Sequence, residues 1–202
     1  MLPRNGALVS FSIVVLAVFI WSAIHPHDYF TWILEVFPAI IGAAILAVTY
    51  RRFRFTPLVY TLIAIHMVIL MIGGHYTYAE VPFGNWIRDH FALSRNHYDR
   101  LGHFAQGFVP AMIAREVLLR LNVLKRGGWL FVLVVSVCLA FSALYELFEW
   151  TVSALTGSAG DAFLGTQGDL FDTQKDMAMA LVGSITALLL LSKAHDRQLK
   201  RL

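Results

Sequence analysis

The chain has 202 residues, 58% of them hydrophobic and only 14% charged, with a mean hydropathy of +0.65. That balance excludes an ordinary soluble domain and points to a protein that lives in a bilayer. The formal net charge of +3 is explained by basic residues in short loops, where membrane topology accounts for them, so no nucleic-acid partner is expected. The single cysteine, Cys138, excludes an intramolecular disulfide and a cysteine metal cluster.

A membrane helix needs about 20 mainly apolar residues. In chain order, residues 7–24, 32–50, 57–73, 102–119, 129–148 and 173–192 meet or approach that requirement. The expectation is an all-α fold: a polytopic bundle of six transmembrane helices, forming one integral membrane domain over residues 1–202. The first segment follows Arg4 and runs into IHPHDYF. It lacks the short apolar core and small-x-small site of a cleaved signal peptide, and reads as an uncleaved first helix. Between the third and fourth segments, Trp86, Ile87, Phe91 and Leu93 predict a short amphipathic helix at the membrane interface. The fourth segment is the least apolar, with Gln106, Pro110, Arg115 and Glu116, and Pro110 is expected to kink it. The fifth ends on Tyr145, Glu146 and Glu149, and the turn Gly165-Thr166-Gln167-Gly168 positions the start of the sixth.

Loop charge sets orientation, because Lys and Arg collect on the cytoplasmic side. With the N-terminus inside, 11 basic residues lie inside: Arg4, Arg51, Arg52, Arg54, Arg120, Lys125, Arg126, Lys193, Arg197, Lys200 and Arg201. Only 4 lie outside: Arg88, Arg95, Arg100 and Lys175. The bias predicts N-in and C-in. The same arrangement sends three motifs to one outer face: HYDRLGHF at 97–104, YELFEW at 145–150 and GTQGDLFDTQKD at 165–176. Motifs far apart in sequence thus share one membrane surface, and a single site is expected there.

Charged groups in a bilayer are expensive and are retained where they are used. Asp99 and His103 are four apart on one helical face, which Gln106 continues. A carboxylate that accepts an imidazole N–H fixes the tautomer and frees the other nitrogen for a metal or proton. Asp99 as a helix-start residue with an interfacial histidine is the plainer reading of the same pair. Glu146 and Glu149, three apart, face the same way and repel unless a cation or shared proton intervenes. Asp169, Asp172 and Asp176 form a stripe beside Lys175. The first two have an inexpensive explanation near a helix N-terminus, and Asp176 lies deeper. Asp99, His103, Glu146 and Glu149 are the candidate catalytic residues, and His103, Asp169, Asp172 and Asp176 the candidate ligands of a divalent metal. His66 lies mid-segment, where it is expected to bond a neighbouring helix, and His75 is a further candidate at the outer end. No Glu-x-x-His pair, H-E-x-x-H, G-x-S-x-G or Walker loop is present.

At HYDRLGHF, REVLLR, YELFEW and GTQGDLFDTQKDM the chain resembles the YjdF family of bacterial inner-membrane proteins, over essentially its whole length. The resemblance implies a multi-pass inner-membrane protein and implies no activity. A looser similarity is to VanZ-like membrane proteins, which carry Asp-Lys-x-x-His-Phe, a Tyr-Glu or Asp-Glu element, and an Asp with Asn four later opening a glycine-containing helix. Here Asp99 to Phe104, Tyr145-Glu146, and Asp172 with Asp176 and Gly183 occupy comparable places. Asp176 stands where the asparagine would be, and Glu149 and Asp169 are additional. That similarity implies an envelope-related role.

Three readings remain open. One is a small membrane enzyme with an outward-facing, metal-assisted acid–base site, acting on a lipid or envelope precursor. Another is a structural or assembly protein whose polar motifs lock helices together. The third is a proton- or ion-coupled transporter, disfavoured by the absence of an inverted repeat.

Overall fold

The computed structural model describes residues 5–202, so Arg4 lies outside the described residues. The chain is built of α1 (Asn5–Ser22), α2 (Tyr29–Thr49), α3 (Pro57–Tyr76), a 3₁₀ turn (Tyr78–Glu80), α4 (Pro82–His90), α5 (Tyr98–Arg120), α6 (Gly128–Thr156), α7 (Ser158–Leu164) and α8 (Asp172–Leu199). No strand occurs among the described residues. Four helices, α2, α3, α6 and α8, are long and apolar enough to cross a bilayer. The apolar part of α1, Leu8–Ser22, is shorter. α5 is too polar to qualify by composition, since it carries Asp99, Arg100, His103, Arg115, Glu116 and Arg120.

Local chemistry explains where the helices start. Asp28 caps α2 by accepting from the Thr31 amide at 2.6 Å, and Thr56 caps α3, with Pro57 in the first turn. α6 stops at Gly157, whose φ of +62° is a left-handed termination that glycine adopts without strain. α5 runs on through Pro110, and α2 through Pro38.

The position of α5 explains its polarity. It packs against α3, α6 and α8, with its largest interface on α8, so its charged residues face protein and not lipid. At Gly107 an added Cβ would overlap the Ala180 backbone, and at Gly183 it would overlap the Phe104 carbonyl. Small residues bring the two backbones together where lipid gives no hydrophobic drive to helix association. An apolar core of Val36, Val59, Val109, Met112, Val134, Cys138 and Ala187 fills the middle of the bundle.

Two helices run well past their expected C-terminal ends. α6 continues to Thr156, past the expected end at 148, so Glu146 and Glu149 sit inside the helix with both side chains buried. They therefore do not meet the unfavourable end of the helix dipole. α8 continues to Leu199, which puts His195 on a helix, fully buried, and not in a tail. The amphipathic segment forms as α4, which ends before Phe91. Phe83, Trp86 and His90 stack in sequence along its exposed side, with centroids 6.0 Å and 5.4 Å apart.

The three motifs meet at one end of the bundle, the end that also carries α4 and α7. The opposite, basic end carries the 50–56 and 121–127 connections and the C-terminus. At the motif end, buried Asn96 ties the connectors together. Its backbone exchanges two 3.0 Å bonds with the Gln167 amide, and its own amide donates to Val81 O at 3.0 Å and Asn85 Oδ1 at 2.9 Å.

Candidate functional site

Two arginines form the roof of the site. Arg95 lies just before α5 and donates to the carbonyls of Thr166 at 3.1 Å and Gly165 at 3.2 Å, and to Asp172. The 165–168 turn is thereby fixed over the helix start. Arg100, in the first turn of α5, donates to Asp172 Oδ1 at 2.5 Å and pairs with Asp176. Asp172 thus sits between two guanidiniums. Asp169 lies at the rim, 3.4 Å from Arg100 and 2.6 Å from Lys175. The bond from Lys175 holds the Asp169 carboxyl below the ordinary carboxylate range.

Beneath this roof stands His103. Its Nε2 is 3.5 Å from Asp99 Oδ1, 3.5 Å from Glu146 Oε1 and 4.0 Å from Asp176 Oδ1. These separations exceed the roughly 2.9 Å of a direct N–H···O bond. The Asp99 and Glu146 separations match the spacing of atoms around one ion, since ligands held at about 2.0–2.2 Å stand roughly 3–3.5 Å from each other, and Asp176 stands slightly wider. Asp99, His103 and Asp176 offer three ligand atoms mutually within 4.8 Å, and His103, Glu146 and Glu149 offer a second such group. Asp169 and Asp172 belong to neither group.

The site opens onto a cavity of about 70 Å³ lined by Glu35, His66, Tyr78, Asp99, His103, Gln106, Tyr145 and Glu149. One water needs only about 10–15 Å³ of such space, so the cavity has room for a cation and a few waters. Buried polar atoms here lack hydrogen-bond partners: His103 Nδ1, Glu146 Oε1, His66 Nε2, Gln106 Oε1 and Tyr145 Oη. Leaving such an atom unpaired costs about 1–3 kcal/mol. Burial pushes the Tyr78 phenol well above its usual value, and Glu35 beside it adds to the effect, so Tyr78 is a permanent donor. Acid also exceeds base. Glu35, Asp99, Glu146, Glu149, Asp172 and Asp176 are all buried, against Arg95, Arg100 and His103. The arrangement can hold a cation, and can hold or pass protons.

The family model described as "Predicted membrane protein (DUF2238)" matches residues 7–197. The chain belongs to this family. This DUF2238 protein is similar to Inner membrane protein YjdF of Escherichia coli (strain K12), with 50% identity over 184 residues, covering 91% of this chain and 88% of that one. No solved structure matches the chain. A membrane location follows from the family and the apolar helices.

The geometry of this DUF2238 protein adds residues that sequence reasoning passed over. Glu35 and Tyr78 line the cavity, and Arg95 and Arg100 neutralise Asp172. His66 faces the cavity, with its Nε2 unpaired, and bonds no neighbouring helix through that atom. His75 stays outside, its Nδ1 against Ser22 O at 3.1 Å and its ring 4.3 Å from Trp21. The sequence carries a local signal for Glu35: a glutamate nearly two turns inside an apolar helix has to point at protein.

A second buried cluster lies at the basic end and behaves differently. Glu116, fully buried, accepts from Thr56 N at 3.0 Å, Thr56 Oγ1 at 2.7 Å and Arg120 at 2.9 Å, and meets His195 Nε2 at 2.9 Å. Arg115 reaches His195 Nδ1 at 2.8 Å and Asp196 at 2.7 Å. Both carboxylate oxygens of Glu116 and both ring nitrogens of His195 are occupied. This network locks α5 to α8 and leaves nothing over for a ligand.

Proposed function

We propose that this protein is a small membrane enzyme whose buried acid-rich site binds one divalent cation and carries out acid–base chemistry on a lipid or envelope precursor. The observation that carries the reading is the spacing around His103. Three carboxylates stand 3.5–4.0 Å from its Nε2, beside polar atoms that have no protein partner. A pure helix lock resembles the basic end, where the polar groups are paired.

Asp99, His103 and Asp176 are the proposed first ligands, with Glu146 as a further one. A divalent cation there supplies charge to polarise a phosphoryl or carbonyl oxygen. Glu149, on the cavity wall and in the second ligand group, is the proposed general base. Tyr78 donates a hydrogen bond to hold Glu35 or a substrate oxygen. Arg95 and Arg100 position the helix start through Asp172, which leaves Asp176 shared between Arg100 and the ligand cluster. The cavity of about 70 Å³ admits a reacting group and not a whole headgroup, so the rest of the substrate lies outside it.

The same proposal takes six helices across the bacterial inner membrane, with both termini cytoplasmic and the site facing outward. The charge bias supports it, because Arg51, Arg52, Arg54, Arg120, Lys125 and Arg126 lie in or beside the loops of one end. The test of activity compares the lipid and precursor profile of cells lacking the protein, restored with wild type or with Glu149→Gln. A species that accumulates without the protein, and is cleared by wild type but not by E149Q, is expected. Identical profiles in all strains, with both proteins present in the membrane, contradict the proposal.

A further inference from the structure

A large apolar groove lies on the far side of the α2–α3 wall from the cavity. The cavity uses Pro38, His66 and Leu70, whereas the groove uses Ala39, Met67 and Met71. Its volume is about 980 Å³. The groove exists because α1 and α2, neighbours in sequence, meet at one end only. At the motif end the Phe19 and Trp32 rings meet in a tilted contact, centroids 5.8 Å apart, and Trp32 Nε1 donates to Ser22 Oγ at 3.2 Å. Below that contact α1 lies on α3 and the two helices part.

The result is a wedge with a closed top and an open bottom at the basic end. Its walls are apolar: Leu8, Phe11, Val15, Ala43, Leu46 and Ile63 are among them. Its mouth is Tyr50, Arg54 and Tyr60. The Arg54 guanidinium lies 4.6 Å over the Tyr50 ring, while Glu116 pairs with Arg120. From Leu8 to Phe19 a helix rises roughly 17 Å at about 1.5 Å per residue, close to the depth of one leaflet's hydrocarbon, half of about 30 Å.

From this geometry we infer that the groove is a binding site for an anionic phospholipid, its acyl chains in the wedge and its phosphate at Arg54. Charge complementarity selects the occupant. Arg51 and Arg52 stand beside Arg54 in the sequence, so the mouth attracts an anionic headgroup. A second copy packed symmetrically on the groove brings the two basic mouths together and is repelled. The site does not depend on the proposed activity, since a wall of two helices separates the groove from the cavity.

The test is native mass spectrometry of full-length protein taken from vesicles of phosphatidylethanolamine and phosphatidylglycerol. Wild type is expected to retain one phosphatidylglycerol in preference to phosphatidylethanolamine. Arg54→Gln is expected to lower that retention about fivefold, the scale of one basic residue at a membrane surface. Ala43→Trp, which fills the wedge, abolishes it. Val48→Trp, on an exposed position outside the groove, leaves it unchanged. Thermal melts in detergent confirm that each variant is folded, and Arg54→Gln decides the matter where Ala43→Trp is not. Equal retention by Arg54→Gln and wild type, no preference for phosphatidylglycerol, or a dimer that Ala43→Trp dissociates each overturns the inference.

Discussion

Arg100 Nη2 on α5 donates to Asp172 Oδ1 on α8 at 2.5 Å, with both residues buried. This bond crosses the largest helix interface in the bundle at the end where the motifs meet. Removing one member of such a pair strands the other charge, at a cost of about 3–5 kcal/mol. Arg100→Ala is therefore expected to destabilise the protein strongly in a thermal or denaturant assay in detergent. Arg100→Gln/Asp172→Asn, which removes both charges, should lose less than the two single variants added together. Additive losses show that the pair is not coupled.

The basic end supplies a contrasting prediction. Glu116 and His195 lock α5 to α8 and do not line the cavity beside His103. Glu116→Ala leaves Arg120 and His195 without their buried partner, so about 3–5 kcal/mol of stability is expected to go. Metal content in the protein that remains folded should equal wild type. Loss of metal alongside stability places the ion in the wrong cluster.

Backbone approach between α5 and α8 is tested at Gly183, where an added Cβ meets the Phe104 carbonyl. Neither backbone can yield as a flexible side chain does. Gly183→Val is expected to cost at least the 1–3 kcal/mol typical of overpacking, and to reduce the folded fraction recovered from membranes. A Gly183→Val protein with wild-type melting shows that the helices do not cross as closely as described.

Orientation is open to labelling. Cys138 is fully buried, so an introduced cysteine is read against a low background. Asn122→Cys, in the α5–α6 connection, should react only when the cytoplasmic side is open to a membrane-impermeant reagent. Ser94→Cys, in the α4–α5 connection, should react in intact spheroplasts. The reverse pattern turns the site inward.

Much of the bundle is legible in the sequence because apolar runs of membrane length have few alternatives. Residues 57–73 fall within α3 and 32–50 overlap α2 almost completely. The helix ends were less legible. Hydropathy falls where polar groups begin, but α6 and α8 continue past that point because Glu149 and His195 are buried by neighbouring helices. Spacing along one helix brings Asp99 to His103 and Glu146 to Glu149. It says nothing of Glu35 on α2, or of His66 on α3, whose meeting with them depends on how helices pack around α5. The roles of Arg95 and Arg100 were hidden for the same reason. Their partners on α8 are some seventy residues away, as with the Arg100–Asp172 bond at a separation of 72.

Binding of a divalent cation by the acid cluster around His103 is open to direct measurement. It is tested most directly by metal content, measured by elemental mass spectrometry on gently purified full-length protein, wild type beside a His103→Ala/Asp176→Asn double variant. One equivalent of a divalent metal in wild type, and its loss from a variant that keeps its helical spectrum and monodisperse elution, is the predicted result. Metal-free wild type that stays metal-free after incubation with Mg²⁺, Mn²⁺ or Zn²⁺, or a variant that retains the full equivalent, contradicts it.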